Sequence, residues 1–264
     1  MNEKVRVHEL EGAVFEKYRA KLGTELELLR DGLHYRGNFF YRDNCWGREP
    51  GNEEEQWKYV CEKRRGLVVI TKDLHDTEAW DIREEHGRKN GIDIPKPSKH
   101  IFCRRLRYWI YGLININTKG AMPEWPNIDL AQRCFENDPW VRINLKKVLG
   151  ESSVSPKTMS TYIENFHDLL LEQLKIYKNA SIYLDCSRRN GIKLLKEIYS
   201  DLKPYGKDDD SWIYFSEQQR FIVVNSYHPS YRRLGGEENY YNRMKDAVQD
   251  FFHENPFLLE IRQL

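Results

Sequence analysis

Gly66-Leu67-Val68-Val69-Ile70-Thr71-Lys72-Asp73 is the stretch whose reading decides the fold. Four aliphatic residues and a threonine follow a glycine that stops a helical pattern over 53–63. A strand with one wet face alternates apolar and polar positions. An unbroken β-branched run suits a strand covered on both faces, as in a parallel sheet between helices. Working outward, similar runs recur at Trp140-Val141-Arg142-Ile143-Asn144-Leu145 and Ser181-Ile182-Tyr183-Leu184. Two more, Trp212-Ile213-Tyr214-Phe215 and Phe221-Ile222-Val223-Val224, flank the polar turn Ser216-Glu217-Gln218-Gln219.

Helical patterns separate these runs. Leu10, Val14, Tyr18, Leu22 and Leu26 recur near helical spacing and predict a helix over 9–31. An aromatic, glycine-containing stretch follows over 37–50. Residues 72–98 form a long polar connection closed by Pro95 and Pro97, and Ser98 is placed to cap a helix over 99–115. A short helix is expected over 129–136. Ser155-Pro156 opens a long one carrying Tyr162, Phe166, Leu169, Leu170, Leu174 and Tyr177 on one stripe. Further helices are expected over 190–202 and 238–254. Strands separated by helices of this length predict βαβ crossovers. The expected architecture is one α/β domain over 1–264, three layers α/β/α around a central, mainly parallel sheet, with an N-terminal helical extension over 1–65 packed on it.

Charged residues make up 31% of the 264-residue chain against 40% apolar ones, a balance that fits a globular protein with a charged surface and excludes disorder. No apolar run approaches the roughly 20 residues that span a bilayer, and the charged start MNEKVRVHELEG is unlike a signal peptide. A cytoplasmic protein is expected. Cys45, Cys61, Cys103, Cys134 and Cys186 are scattered, odd in number and without zinc or cluster spacing, so neither disulfides, a metal nor a cofactor is expected. The net charge of +1 does not announce a nucleic-acid partner. Basic residues are nevertheless clustered, at Lys63-Arg64-Arg65, Arg104-Arg105-x-Arg107, Lys146-Lys147, Arg188-Arg189 and Arg232-Arg233. Gathered on one face, several of them would hold phosphates; singly, each is a solvated surface doublet.

In open parallel sheets ligands bind beyond the carboxyl ends of the strands. Thr71-Lys72-Asp73-Leu74-His75 follows the first strand, Asn144-Leu145-Lys146-Lys147 the second, and Asn225-Ser226-Tyr227-His228-Pro229-Ser230-Tyr231-Arg232 the last. An Asp, an Asn and a His thus reach one sheet edge from three strands. This trio suits cleavage of an N-glycosidic bond. Asp73 would hold a water and stabilise a cationic sugar. A neutral His228 would donate to the oxyanion of the leaving base, and Asn144 would pair with a base edge. Each residue also has a plain structural reading: Asp73 as a helix cap, His228 as a strand terminator, Asn144 as a turn residue. Lys72, His75 and Ser230 neighbour the trio and are candidate substrate contacts. Trp80 either stacks on a flipped base or anchors its loop. Lys146, Lys147, Arg188, Arg232 and Arg233 are the candidate nucleic-acid contacts.

At these residues the chain resembles the uracil-DNA glycosylase-like superfamily. Members carry an acidic first motif after one strand (Gly-Gln-Asp-Pro-Tyr-His in one branch), a strand-terminal Asn, and a His-Pro-Ser motif near the C-terminus. Asp73, Asn144 and His228-Pro229-Ser230 occupy those places, across roughly residues 65–250. The resemblance implies a DNA-repair hydrolase that removes uracil or a damaged base from nucleic acid, DNA foremost, with Asp73 and His228 catalytic. Thr71 stands where the family has Gly, Leu74 where it has Pro, and Arg232 where an apolar wedge follows His-Pro-Ser. Those departures motivate the alternative of a nucleic-acid- or nucleotide-binding protein without catalysis. A small-molecule hydrolase built on an Asp–His pair ranks last, because no Gly-x-Ser-x-Gly elbow is present.

Overall fold

The computed structural model describes residues 6–23, 28–34, 39–42, 45–48, 53–72, 88–89, 100–149, 154–206, 211–231 and 235–260. In chain order the elements are α1 (Val7–Leu22), β1 (Gly32–Leu33), β2 (Phe39–Arg42), β3 (Cys45–Arg48), α2 (Glu53–Lys63), β4 (Leu67–Thr71), β5 (Arg88–Lys89) and α3 (Ile101–Ile114). There follow α4 (Ile128–Asn137), β6 (Val141–Asn144), α5 (Pro156–Ile176), β7 (Ile182–Asp185), α6 (Asn190–Ile198) and β8 (Lys203–Pro204). The chain continues through β9 (Ile213–Ser216), β10 (Phe221–Asn225), α7 (Glu237–Glu254) and a 3₁₀ turn at Pro256–Leu259.

Seven strands form one sheet in the order β1-β6-β4-β7-β10-β9-β8. The central four, β6, β4, β7 and β10, are mutually parallel; β1 pairs antiparallel with β6 at one side, and at the other β9 pairs antiparallel with both β10 and β8. From β4 the chain crosses to β6 on one side and then returns to β7 on the other. That reversal leaves a crevice over the carboxyl ends of β4 and β7, the place where doubly wound sheets bind ligands.

The central strands are largely apolar because both faces are covered, as the run at Leu67 predicts. Leu67 and Val69, Ile182 and Leu184, and Ile222 and Val224 enter a core shared with α3, α4 and α7. Val68 and Ile70, Tyr183, and Phe221 and Val223 enter the opposite core with α1, α2, α5 and α6. The two cores make three layers. Ser155 caps α5 by accepting the Thr158 N–H at 3.0 Å, with Pro156 in the first turn, as its sequence indicates.

The N-terminal region departs from expectation. The helix over 9–31 ends at Leu22, where Gly23 takes a φ of 81°. Residues 28–34 instead run along the sheet: Leu28 bridges Val148, and Gly32–Leu33 pairs with β6. Gly32 has a φ of 138°, and a Cβ there would lie 2.2 Å from the buried Glu11 carboxylate, so glycine is obligatory where the chain passes over α1. The first 65 residues are thus not simply a helical extension, since β1 joins the sheet and α1 and α2 fill one of its faces. Part of the aromatic stretch and two residues of the long polar connection form a second sheet, β3-β2-β5. Helix α3 starts at Ile101 with His100 as its N-cap residue, and Ser98 lies outside the described residues.

Candidate functional site

β4 and β6 end side by side, with Thr71 opposite Asn144. The Thr71 hydroxyl donates to Asn144 Oδ1, and both residues are fully buried. This bond fixes the amide, leaving Asn144 Nδ2 buried and without a hydrogen-bond partner among the described residues. Beneath it, Asp31 accepts the Asn144 backbone N–H at 2.7 Å and the Gln173 amide at 2.6 Å. The Lys147 ammonium forms a salt bridge with the same carboxylate, with neither side chain exposed. Burial pushes the Lys147 pKa below its ordinary value, against the pull of Asp31.

The residues after β10 turn back across the sheet. The Ser226 N–H donates to the Asp185 carbonyl of β7 at 2.8 Å, and the Tyr240 hydroxyl of α7 accepts the Tyr227 N–H at 3.1 Å. Arg105 of α3 donates to the carbonyls of Pro229, at 2.8 Å, and Tyr231. Within this clasp the Tyr231 N–H reaches the His228 carbonyl at 2.8 Å, and the Ser230 N–H donates to His228 Nδ1 at 3.3 Å. An accepting Nδ1 places the ring proton of a neutral imidazole on Nε2. His228 Nε2 is buried and has no partner among the described residues.

Neighbouring strands lie about 4.8 Å apart, so β6 and β10, three spacings apart, are separated by roughly 14 Å. The turn closes that gap. The His228 ring lies 5.4 Å from the Phe102 ring of α3, and the Arg142 guanidinium of β6 sits 4.4 Å from that same ring. Burial pushes the His228 pKa down from 6.5 to about 4, helped by the positive charges of Arg142, Lys72 and Arg188. Those three cations come from β6 and from the ends of β4 and β7, so groups from three of the parallel strands act on a residue that follows the fourth. Arg142 and Asn144 are two residues apart on one strand and share its α3 face. The arrangement offers a neutral imidazole N–H and an amide N–H in positive surroundings, a combination that receives an anionic or carbonyl oxygen.

At the end of β7, Asp185 accepts the backbone N–H groups of Ser187 and Ile192, at 2.8 and 2.9 Å, and so caps α6. Burial raises its pKa against those bonds. The cap is followed by two left-handed residues, Arg188 and Arg189, with φ of 59° and 68°. Non-glycine side chains take that conformation at a cost, and here it leaves Arg188 exposed beside the crevice.

The structure places Lys72 and Arg188 in the electrostatic surroundings of His228 and bonds Ser230 to its ring, while Asn144 stands two residues from Arg142 on β6. Ser230 contributes its backbone N–H to His228. Asp73, His75, Trp80, Arg232 and Arg233 lie outside the described residues. The expectation of a phosphate rim at Lys146-Lys147 needs correction. Lys147 is sealed in its bond to Asp31, and the Lys146 ammonium donates to the carbonyls of Val148 and Leu149 at 2.8 and 2.9 Å. Both side chains are buried because the chain folds over them to pair at Leu28. Arg104 and Arg105 likewise meet Glu237, and Arg64 meets Asp138. Sequence reasoning missed Phe102, Arg105 and Arg142. Arg142 carried a signal, a charge inside an apolar strand, whereas the other two reach the site only through tertiary packing.

Cys61, Cys103, Cys134 and Cys186 are buried. Among the described residues no group of three His, Cys, Asp or Glu is placed to hold a metal, and no helix is long and apolar enough to cross a membrane. The chain is a mixed α/β protein with a doubly wound centre and a polar, cationic cluster at its strand ends. No protein-family model, curated protein or solved structure matches it.

Proposed function

We propose that this protein is a base-excising hydrolase of the uracil-DNA glycosylase-like type, acting on uracil or a damaged base in nucleic acid. The observation that carries the reading is two buried donors at the strand ends, each without a partner among the described residues: His228 Nε2, which lies in the field of three cations, and Asn144 Nδ2. Buried polar atoms are rarely left without partners, and each exception calls for an explanation, a catalytic role or a bound water or ion among them. A base with exocyclic oxygens supplies acceptors for both. As the glycosidic bond breaks, its electron pair passes to the base, and the negative charge settles on an oxygen facing the His228 N–H. Asp73 is assigned the water that attacks the sugar carbon and takes up its proton. The reaction yields the free base and an abasic sugar.

The test is base release from oligonucleotides carrying uracil, hypoxanthine, xanthine or an oxidised base. The wild type is expected to release at least one of them. His228→Ala should lower the rate by about a hundredfold or more, the usual cost of one oxyanion donor. Asp73→Asn should abolish release with the unfolding midpoint retained. Full activity in both variants would remove the catalytic assignment. Thr71, standing where the resemblance places a glycine, favours a second reading in which the same site binds a nucleic acid or nucleotide without cleaving it. Salt-sensitive binding with no base released from any substrate would select that reading.

A further inference from the structure

Tyr227 and Tyr231 flank the His228-Pro229-Ser230 tripeptide, and their rings stack with centroids 4.9 Å apart and planes 21° from parallel. Tyr227 is 51% exposed and Tyr231 36%, whereas Tyr18, Tyr183, Tyr214, Tyr240 and Tyr241 are buried. The backbone below the pair is anchored. Tyr240 holds the Tyr227 N–H, the His228 carbonyl holds the Tyr231 N–H, and Arg105 holds the Tyr231 carbonyl. Two aromatic rings are therefore presented to solvent from a fixed turn, next to a histidine whose Nε2 has no partner among the described residues.

We propose that the Tyr227–Tyr231 stack is a platform for an unpaired nucleobase adjoining the one held at His228, so that the protein engages single-stranded nucleic acid. The proposal rests on reading the strand-end cluster as a base-excision site. Every base has a π-face, and stacking on tyrosine is tolerant of sequence. Inside a duplex those faces are covered by neighbouring pairs, so an exposed aromatic surface is usable only by a base that has left its stack. Charge agrees with this occupant. No acidic residue lies between Glu217 and Glu237, Arg232 and Arg233 follow Tyr231 directly, and Arg188 is exposed and acts electrostatically on His228. A polyanion at the tyrosine pair thus meets a stretch of chain that carries basic residues and no acidic one.

The experiment compares binding of a labelled oligothymidylate strand, free and as a duplex, with base release from single-stranded substrate. Wild type should bind the single strand more tightly. Tyr227→Ala with Tyr231→Ala should weaken that binding by about tenfold or more, within the range seen for lost base stacking. The corresponding Phe pair keeps the π-faces and should stay within about twofold of wild type. Both rings are exposed, so the unfolding midpoint should hold in either variant. Equal binding by wild type and the Ala pair, or a preference for duplex, overturns the platform. If wild type still releases base in that case, the excision reading survives alone. Stacking-dependent binding without any base release overturns excision and leaves a binding platform. Failure to bind either strand form overturns the platform outright.

Discussion

The His228 ring shares its surroundings with Arg142, Lys72 and Arg188, and burial together with those charges moves its pKa from 6.5 to about 4. In the unfolded chain the same imidazole takes up its proton near 6.5. Between the two values the unfolded state binds more protons than the folded one, so stability must fall as pH drops through that window. Above 6.5 both states are neutral at this residue and it contributes no pH dependence. The loss at the acid end is on the order of 3 kcal/mol. Urea unfolding of the wild type and His228→Gln across this range isolates the contribution. The wild type is expected to lose stability more steeply than the variant between pH 6.5 and 4. Parallel curves would show that folding does not discharge the ring. The same shift predicts that base release has no inflection near 6.5, because the donor is already neutral there.

Among the elements, the segment preceding β1 meets β6 through Asp31, whose carboxylate is shared by Lys147, Gln173 and the Asn144 N–H. Removing one partner of a buried ion pair strands the other charge, so Asp31→Leu and Lys147→Met should each cost about 3–5 kcal/mol. The double variant replaces the pair with apolar groups and should cost much less than the sum. It should not return to wild type, since the Asn144 N–H would remain unpaired, a loss of about 1–3 kcal/mol. Chemical denaturation of the three variants gives the coupling directly, and additive single effects would refute it. Asp31 also shows where sequence reading stops. The central strands, the cap at Ser155, and the places of Asn144 and His228 at or after strand ends were legible because each depends on local pattern: an apolar run, a Ser-Pro start, a polar residue closing a strand. Asp31 and Lys147 are more than a hundred positions apart, and no periodicity announces their meeting. The same is true of Arg105, which serves the site by holding carbonyls at Pro229 and Tyr231.

For the molecule as a whole, the fate of its basic residues sets how it can bind a polyanion. The doublets look like a phosphate surface in the sequence, but folding ties Arg64, Arg104, Arg105, Lys146 and Lys147 to acidic side chains or carbonyls of the same chain. Of those doublets, Arg188 is left exposed near the crevice, and Arg232 and Arg233 follow the turn in sequence. Two or three phosphate contacts on a single strand give a slope of log K against log salt of about −1.5 to −2. The affinity should therefore decline gently with salt, and base stacking and the pocket would carry most of the binding. Arg188→Ala should reduce the magnitude of the slope by about 0.7, weakening all sequences alike without altering which base is released. Anisotropy titrations over a range of salt concentrations measure both quantities. A slope steeper than about −5 would require most of the internally paired cations to face the nucleic acid, which the ion pairs at Asp31, Asp138 and Glu237 forbid.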